Sequence, residues 1–381
     1  MGHASVNPLV ATYTKYLNTN AEMAGFLTGM FFVVAFACRS FTGYAITKLD
    51  KRMLLIWVFL VGVVANVGYA LFHSVPAFII FRFLSGVQYS LLGPLLMALS
   101  GDHLPMSRLA YGLGVFGIGG AISNAIAPTI GAAILDFGIS LGNERLGFSL
   151  LFLFGAVMFL IAVVPSAMIA PDTKTVEYLA NTGKWYQSIF SIHAMPAGIV
   201  MLLMSITYAI INTYVFEFAV EQGIAGISSF YIVLAIMLAI SRPLSGYITI
   251  KIGMTQVVFP ALVLFAFAMI VIGFSTTLWM ALVGSALSAI GYGSAQPSIN
   301  AMSLQSEPAE LRGVATNTLY MGIDLGLFLG PFLGGLVYAR STYANMFKTG
   351  AIPVALAAIC FIFVIPVYKR RVAEVDKLNK S

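Results

Sequence analysis

The chain has 381 residues, of which 60% are apolar and only 9% are charged, and its mean hydropathy is +0.94. This composition excludes a water-soluble globular protein, whose surface is normally rich in charged side chains. The formal net charge of +6 predicts no nucleic-acid partner, because the basic residues follow the distribution expected of a membrane protein.

Apolar runs long enough to cross roughly 30 Å of hydrocarbon, at about 20 residues each, recur along the chain. We therefore predict an all-α, polytopic membrane protein with eleven complete spans, at residues 23–47, 53–73, 76–100, 109–136, 147–170, 195–219, 225–250, 256–275, 277–303, 313–338 and 345–367. The apolar stretch from Val6 to Leu17 is too short to cross by itself. It has no basic segment typical of a signal peptide. We interpret it as an opening helix lacking its first turns, through a late start codon, a shortened clone or a deletion.

The second half of the sequence repeats the first at an offset of 203 residues. Arg39, Gly43, Tyr44 and Lys48 recur as Arg242, Gly246, Tyr247 and Lys251, and Tyr89, Pro94, Pro105, Pro128 and Gly131 recur as Tyr292, Pro297, Pro308, Pro331 and Gly334. Rare residues at one constant offset indicate a duplicated membrane protein. The predicted division is a first six-helix bundle at 1–170, a linker at 171–194, a second bundle at 195–367 and a tail at 368–381. The polar linker is interpreted as a plain connection with a surface helix near 176–190, rather than a regulatory site.

Basic residues fall mainly on one side of the predicted topology. With the N-terminus inside, thirteen lie in inner loops and the tail: Lys48, Lys51, Arg52, Arg108, Lys174, Lys184, Lys251, Arg312, Lys369, Arg370, Arg371, Lys377 and Lys380. The outer loops hold only Lys15, Arg145, Arg340 and Lys348. Because basic loops tend to stay in the cytoplasm, we predict a cytoplasmic C-terminus and a bacterial cytoplasmic membrane.

Three motifs carry more specific information. The loop after the second span reads Gly43-Tyr44-Ala45-Ile46-Thr47-Lys48-Leu49-Asp50-Lys51-Arg52, and the fourth span contains Arg82-Phe83-Leu84-Ser85-Gly86. The fifth span carries Gly114, Ser123, Ala127, Pro128, Gly131 and Ala132, and the eleventh carries Gly326, Gly330, Pro331, Gly334 and Gly335. Small residues at these spacings suit close helix packing in lipid.

These motifs resemble those of the major facilitator superfamily of secondary transporters, over essentially the whole chain. The loop resembles the family motif G-x-x-x-D-[RK]-x-G-[RK]-[RK], in which Gly43, Lys48 and Arg52 match. Thr47 replaces the usual aspartate and Asp50 the second glycine, which weakens the charged latch that the motif normally forms. The fifth-span pattern is associated in that family with drug or small-molecule:proton antiporters. The resemblance implies two pseudo-symmetric six-helix bundles that rock about a central site.

Ionisable side chains within spans are expensive and usually functional. The side chain of Arg82 either extends outward to the membrane interface or faces the central cavity. For Arg39 and Arg242 we favour extension to the interface or a structural pair between the two halves. Asp324 is the acid expected near mid-membrane, where hydrocarbon disfavours its charge and favours proton uptake. We hypothesise that Asp324 pairs with Arg39 in one access state. The position in the first half that corresponds to Asp324 carries no acid, so we expect Arg242 to use Ser123 or Asn124 instead. The proton-coupling and gating candidates are Asp324, Arg82, Arg39 and Arg242.

The resemblance implies that the first, fourth, seventh and tenth spans line the cavity. The substrate candidates there are Gln88, Tyr89, Tyr208, Asn212, Tyr292, Gln296 and Asn300, with Asn7, Tyr13 and Tyr214 in the same spans. Amides and phenols among apolar walls suit a small organic solute.

The remaining chemistry is limited. Cys38, Cys360 and the four histidines form no ligand-spaced cluster, so neither a metal site nor a disulfide is expected. A phosphate-binding GxxxxGK[ST] loop does not occur, and no nucleophile with a nearby base indicates an enzyme. We therefore expect a monomeric transporter in a lipid bilayer, without cofactor and driven by protons, which exports its substrate. A symporter or facilitative importer remains an alternative, as does, from another class, a membrane sensor or an inactive fragment.

Overall fold

The computed structural model describes residues 1–19, 21–171 and 189–378, and within these ranges all regular structure is helical. The α-helices are α1 (Gly2–Val6), α2 (Val10–Tyr16), α3 (Ala21–Lys48), α4 (Lys51–Leu71), α5 (Val75–His103), α6 (Leu109–Leu141), α7 (Glu144–Ala167), α8 (Met195–Gln222), α9 (Ser228–Ile252), α10 (Met254–Gly273), α11 (Leu278–Gln305), α12 (Arg312–Tyr338), α13 (Tyr343–Thr349) and α14 (Ala351–Leu378). Single 3₁₀ turns lie at Asn7–Leu9, Met106–Arg108 and Ala309–Leu311. The predicted all-α class is confirmed.

Ten helical segments in the described residues are long and apolar enough to cross a membrane. The helix α6 adds two shorter apolar stretches, Leu109–Gly120 and Ile126–Leu141. Large apolar side chains on these helices point outward, as for Trp279, which is 78% exposed, and Phe363, which is 71% exposed. This outward apolar surface is what lipid requires, because hydrocarbon cannot satisfy polar groups. The predicted multi-pass membrane architecture is confirmed.

Two parts of the chain differ from the predicted spans. The opening helix is interrupted by the 3₁₀ turn Asn7–Leu9, in which Pro8 has no amide N–H to continue an α-helical ladder. At the other end, α14 continues beyond the predicted span to Leu378, because backbone hydrogen bonding continues regardless of hydropathy and Arg371 is anchored by its neighbours. The surface helix predicted near 176–190 falls mostly outside the described residues.

The chain forms two compact units. Unit 1 comprises Met1–Leu96 and Ser123–Gly183, and unit 2 comprises Met97–Ile122 and Lys184–Ser381. The helices α5 and α6 therefore each contribute to both units. The apolar core of unit 1 surrounds Tyr13, Phe78 and Phe152. The larger core of unit 2 includes Phe218, Phe265 and Phe347.

In unit 2, α8 and α12 make a close contact. A Cβ added at Gly322 would overlap the Gly198 carbonyl oxygen, and one at Gly330 would lie 2.5 Å from that of Ile206. These positions face α8 at helical spacing, so glycine lets the two backbones approach closely. The contact fixes the rotation of α12, which carries Asp324.

Candidate functional site

Arg82 lies inside unit 1, with 2% of its surface exposed. Its Nε donates to the Leu27 carbonyl oxygen at 3.2 Å and its Nη1 donates to Asn7 Oδ1 at 2.9 Å. The guanidinium carbon lies 4.7 Å from the centre of the Phe31 ring. The opening helix and α3 thus hold the charge from two sides. Arg82 therefore does not extend toward the interface, and a position facing the central cavity stays a prediction.

Gln88 and Tyr89 lie next to each other in the same unit. Gln88 is 1% exposed and its Oε1 is 2.5 Å from His3 Nε2. The His3 ring meets Phe31 and Tyr89 edge-on at centroid distances of 5.3 and 5.6 Å. The amide and the imidazole therefore sit against an aromatic wall. His3 was not singled out from sequence because a lone histidine in an apolar helix carries no spacing signal.

Arg39 is also buried, at 1% exposure. Its Nη1 donates to the Ser90 carbonyl oxygen of α5, and Thr42, one turn along α3, reaches the same oxygen at 3.5 Å. Arg39 therefore lies against α5 and does not extend to the end of its own helix. Its predicted partner, Asp324, belongs to unit 2, and the pairing stays a prediction.

In the loop after α3, the two residues that depart from the family motif, Thr47 and Asp50, both make local hydrogen bonds. Thr47 donates to the Gly43 carbonyl oxygen in its own helix at 2.7 Å, and this bond involves no other helix. Asp50 caps α4, accepting the Met53 amide N–H at 2.8 Å. Lys48 and Arg52 lie on either side of this cap, at the end of α3 and the start of α4. The acid thus serves local helix capping.

Arg242, the repeat mate of Arg39, has different partners. Its Nη2 donates to Gln296 Oε1 at 2.8 Å, and its Nη1 donates to the Gly117 carbonyl oxygen. The described partners of Arg242 are therefore Gln296 and a backbone oxygen, and its use of Ser123 or Asn124 stays a prediction. A Cβ at Gly114 would lie 2.5 Å from the Arg242 carbonyl oxygen, so α6 and α9 touch here. Arg242, Gln296, Gly114 and Gly117 all belong to unit 2.

The candidate cavity residues of α8 and α11 also meet. Tyr208 and Tyr292 are stacked, with ring centroids 4.3 Å apart and an interplanar angle of 10°. Asn212 uses its side-chain amide to donate to the Tyr208 carbonyl oxygen at 2.8 Å. The Asn300 Oδ1 is buried and has no hydrogen-bond partner among the described residues. The structure thus brings together Tyr208 with Tyr292 and Gln296 with Arg242.

Asp324 is 7% exposed on α12. Gly322 and Gly326 face α8, and Asp324, two residues from each, points about 200° away from them around the helix. The carboxylate is therefore on the face of α12 opposite α8 and yet remains buried.

The motif glycines and prolines occupy positions of close packing. A Cβ at Gly86 would meet Val34 at 2.8 Å, and one at Gly131 would meet the Ser5 carbonyl oxygen at 2.5 Å. Pro128 and Pro331 lie inside α6 and α12, where the missing N–H permits a bend. Their described role is helix packing.

Sequence reasoning missed a buried acid, Glu307, which is 4% exposed. Its Oε1 accepts from Ser191 Oγ at 2.5 Å and lies 3.1 Å from His193 Nδ1, while its Oε2 lies 3.1 Å from Arg371 Nη2. Glu307 thus joins the segment before α8, the loop after α11 and the end of α14. The sequence could have indicated Glu307, because the equivalent position in the first half is Leu104. The acid is therefore specific to the second half.

A second missed feature closes one end of unit 2. Arg312 Nη1 lies 3.2 Å from Asp102 Oδ1 and 3.3 Å from the Gly101 carbonyl oxygen. A Cβ at Gly246 would overlap the Tyr111 Cα. The ends of α5 and α6 at this loop therefore lie directly on α9 and α12. The contact includes this ion pair and close backbone packing.

At the other end of the predicted membrane layer, His73 follows α4. Its Nδ1 lies 3.3 Å from the Tyr13 hydroxyl, and its Nε2 lies 2.9 Å from Ser149 Oγ and 3.0 Å from the Ala70 carbonyl oxygen. A neutral imidazole with its proton on Nε2 satisfies this arrangement. Burial lowers the pKa of His73, and the hydrogen bond to Ala70 partly opposes this shift.

Comparison with known proteins places this geometry in a family. The family model for the Major Facilitator Superfamily matches residues 1–259 and again residues 199–381. An uncharacterized MFS-type transporter of Methanocaldococcus jannaschii is 22% identical over 372 residues, covering 92% of this chain and 91% of the relative. The putative multidrug resistance protein MdtD of Escherichia fergusonii is 26% identical over 177 residues, covering 46% of this chain and 37% of that protein.

Solved structures agree in fold. The crystal structure of the MFS transporter FucP in the outward conformation superposes with a TM-score of 0.74 at 13% identity, covering 95% of this chain and 97% of that chain. Members of the family are transporters, so the chain is not an enzyme. Its substrate is expected to be a small molecule that it carries across a lipid bilayer. The two matches to the family model together cover the whole chain, and the protein therefore belongs to the Major Facilitator Superfamily of membrane transporters.

Proposed function

We propose that this transporter is a proton-coupled exporter of a small organic solute. It works by alternating access, in which a central site opens first to one side of the membrane and then to the other. The proton gradient supplies the energy, without a bound cofactor. The fifth- and eleventh-span glycine-proline patterns support export, and one relative is named a putative multidrug resistance protein.

The observation that carries the proposal is the burial of Asp324. A charged aspartate at the centre of a membrane helix costs about 2.5 to 3.5 kcal/mol on insertion scales. At 7% exposure, Asp324 can lower this cost by taking up a proton or by contacting a cation. An acid that changes between these states as the transporter changes shape is what coupling requires. We assign the proton-carrying role to Asp324, with the buried Arg39 as its proposed cationic partner. Arg82 is a second buried charge in the same unit as Arg39.

The contacts at the loop end of α5 and α6 support alternating access. Arg312 and Asp102 form an ion pair with side-chain exposures of 12% and 24%, and such a partly exposed pair is worth little energy. The neighbouring Gly246–Tyr111 approach buries backbone without long interlocking side chains. A closed end made of these elements can separate at low cost. We propose that it is the cytoplasmic gate.

The direction of the gate follows from the basic loops. Lys251 lies near the end of α9 and Arg312 begins α12, and basic loops are retained in the cytoplasm. We propose a bacterial cytoplasmic membrane, a cytoplasmic C-terminus and a functional monomer. The Glu307–Arg371 contact then joins α14 to the cytoplasmic face.

Substitution of Asp324 tests the proposal. Reconstituted vesicles with a pH-sensitive dye inside would report substrate-dependent proton movement for the Asp324→Asn variant. We expect proton movement to be lost, whereas Asp136→Asn, which changes an exposed aspartate on α6, should behave like the unaltered protein. Undiminished pH-driven transport in Asp324→Asn would remove the proton role.

Import is the second candidate, because solute:proton symport uses the same fold. Everted and right-side-out vesicles with an imposed proton gradient distinguish the two directions. Accumulation of the solute inside everted vesicles, against its own concentration gradient, supports export. Accumulation only in right-side-out vesicles would make the protein an importer.

A further inference from the structure

Unit 2 contains a positive charge with neutral neighbours. The described partners of Arg242 are the Gln296 side-chain oxygen and the Gly117 carbonyl oxygen, and in the described part of the chain it makes no ion pair. Its Nε is buried and has no hydrogen-bond partner there. A guanidinium has five N–H donors, so these two bonds leave donors for a ligand. The site as described retains its positive charge and attracts an anion.

Open space lies beside this charge. A Cβ added at Gly120 would meet only Arg242 Nη1, at 4.0 Å, and one added at Gly119 would meet nothing within 4 Å. By contrast, a Cβ at Gly117 would lie 3.0 Å from Arg242 Nη1. The α6 backbone therefore supports the arginine at Gly117 and leaves room one turn further along. This space lies directly beside the guanidinium.

A flat aromatic surface lies close to the charge. Tyr292 and Gln296 are four residues apart on α11, so they share a face at about 6 Å along the helix axis. Tyr292 is held by the edge of Phe265, at a centroid distance of 5.8 Å, and by the face of Tyr208. Among the described residues no other ring packs on Tyr208. Its second face is the one on which a planar group would stack.

The geometry points to a binding site for planar aromatic monoanions, in which Arg242 and the space at Gly120 take the acid group and Tyr208 stacks on the ring. Gln296, which binds Arg242, and Tyr292, which stacks on Tyr208, lie about one helical turn apart on α11, so one small molecule can reach both groups. Tyrosine faces also attract cations, but Arg242 repels them. This inference rests on the proposed transport function and specifies the class of its substrate.

Equilibrium dialysis of the purified full chain in nanodiscs against labelled naphthoate tests the site. Two further probes separate the contributions: cyclohexanecarboxylate keeps the charge without an aromatic face, and naphthylmethylammonium keeps the ring with the opposite charge. We expect naphthoate to bind at least about tenfold more tightly than either, because each lacks one of the two interactions. Equal binding of naphthylmethylammonium or of cyclohexanecarboxylate would overturn the proposal.

Matched variants locate the binding. Gly120→Val should reduce naphthoate affinity roughly tenfold or more by filling the space beside Arg242, and Arg242→Gln should do the same by removing the charge. Gly119→Val changes the adjacent glycine in the same way and should leave affinity unchanged. Tyr208→Ala should weaken binding roughly threefold or more, and Tyr208→Phe should restore it. Full affinity in a folded Gly120→Val variant would refute the site.

Failure of this inference can be distinguished from failure of the proposed function, because dialysis needs neither a gradient nor a direction. Specific naphthoate binding without proton-driven export would uphold the site and overturn the exporter. Proton-driven export of other solutes without naphthoate binding would overturn the substrate class alone.

Discussion

Arg312, the first residue of α12, is paired with Asp102 in the last turn of α5, with Arg312 Nη1 3.2 Å from Asp102 Oδ1. The two residues lie 210 positions apart in the chain and meet where α5 and α6 reach α9 and α12. The two side chains are partly exposed, at 12% for Arg312 and 24% for Asp102. The contact can therefore be weakened by a single substitution.

We expect Arg312→Gln to shift the transporter toward the state that is open at this end. A partly exposed ion pair contributes up to about 1 kcal/mol, so the open population should rise by up to about fivefold. In a Cys38→Ser, Cys360→Ser background, Ala110→Cys places a thiol at a position that is 4% exposed, and its labelling rate by a soluble maleimide reports opening. Arg340→Gln, an exposed change beyond the other end of α12, is the control. An unchanged labelling rate in Arg312→Gln would show that the ion pair does not hold the gate.

Glu307→Gln should destabilise unit 2. Removing one member of a buried ion pair costs about 3 kcal/mol, and here the change leaves Arg371, 17% exposed, facing a neutral group. Thermal unfolding in detergent, followed by tryptophan fluorescence, would measure the effect. The other acid near Arg371 is Glu374, whose own side chain is 63% exposed. The substitution Glu374→Gln should change the free energy of unfolding by less than about 0.5 kcal/mol. Equal effects of the two variants would contradict a structural role specific to Glu307.

His73 should make unit 1 less stable in acid. Its pKa is lowered in the folded chain by burial, so the unfolded chain binds more protons as the pH falls below about 6.5. The stabilisation is fully present above that pH and is lost as the pH falls toward the folded-state pKa. Protonation also makes Nδ1 a donor, so it can no longer accept from Tyr13. Melting temperatures at pH 7.5 and 5.5 should differ less for His73→Gln than for the unaltered chain, and an identical difference would exclude His73.

Gly330→Ala should disrupt the contact between α8 and α12. The added methyl would lie 2.5 Å from the Ile206 carbonyl oxygen and 2.6 Å from the Ala209 Cβ, and overpacking of this kind costs about 1 to 3 kcal/mol. At Gly335 on the same helix the nearest atom is the Tyr214 hydroxyl oxygen, at 3.2 Å, and it can move aside. Gly335→Ala is therefore the matched control in the same melting experiment. A melting temperature unchanged in Gly330→Ala would mean that the helices separate without loss.

The helices could be predicted from sequence because each span is a local property. A run of about 20 apolar residues identifies a span wherever it packs, and the boundaries of α8 and α12 are close to those predicted. The 203-residue repeat likewise identified Arg39 and Arg242 as equivalent positions. It did not predict their partners, because Arg39 contacts the Ser90 carbonyl oxygen whereas Arg242 contacts Gln296.

The sequence by itself therefore determined the class of protein, its multi-pass helical architecture and the family resemblance. Hydrocarbon allows only structures that satisfy their own backbone hydrogen bonds, so hydropathy alone dictates a helix for each run. Only the tertiary structure decided which polar groups meet, as when Glu307 joins Arg371 and Arg242 faces the open space at Gly120. Those contacts depend on the rotation and depth of each helix, which are set by close approaches between backbones such as Gly322 with Gly198. Residue spacing within one helix does not specify its rotation against another.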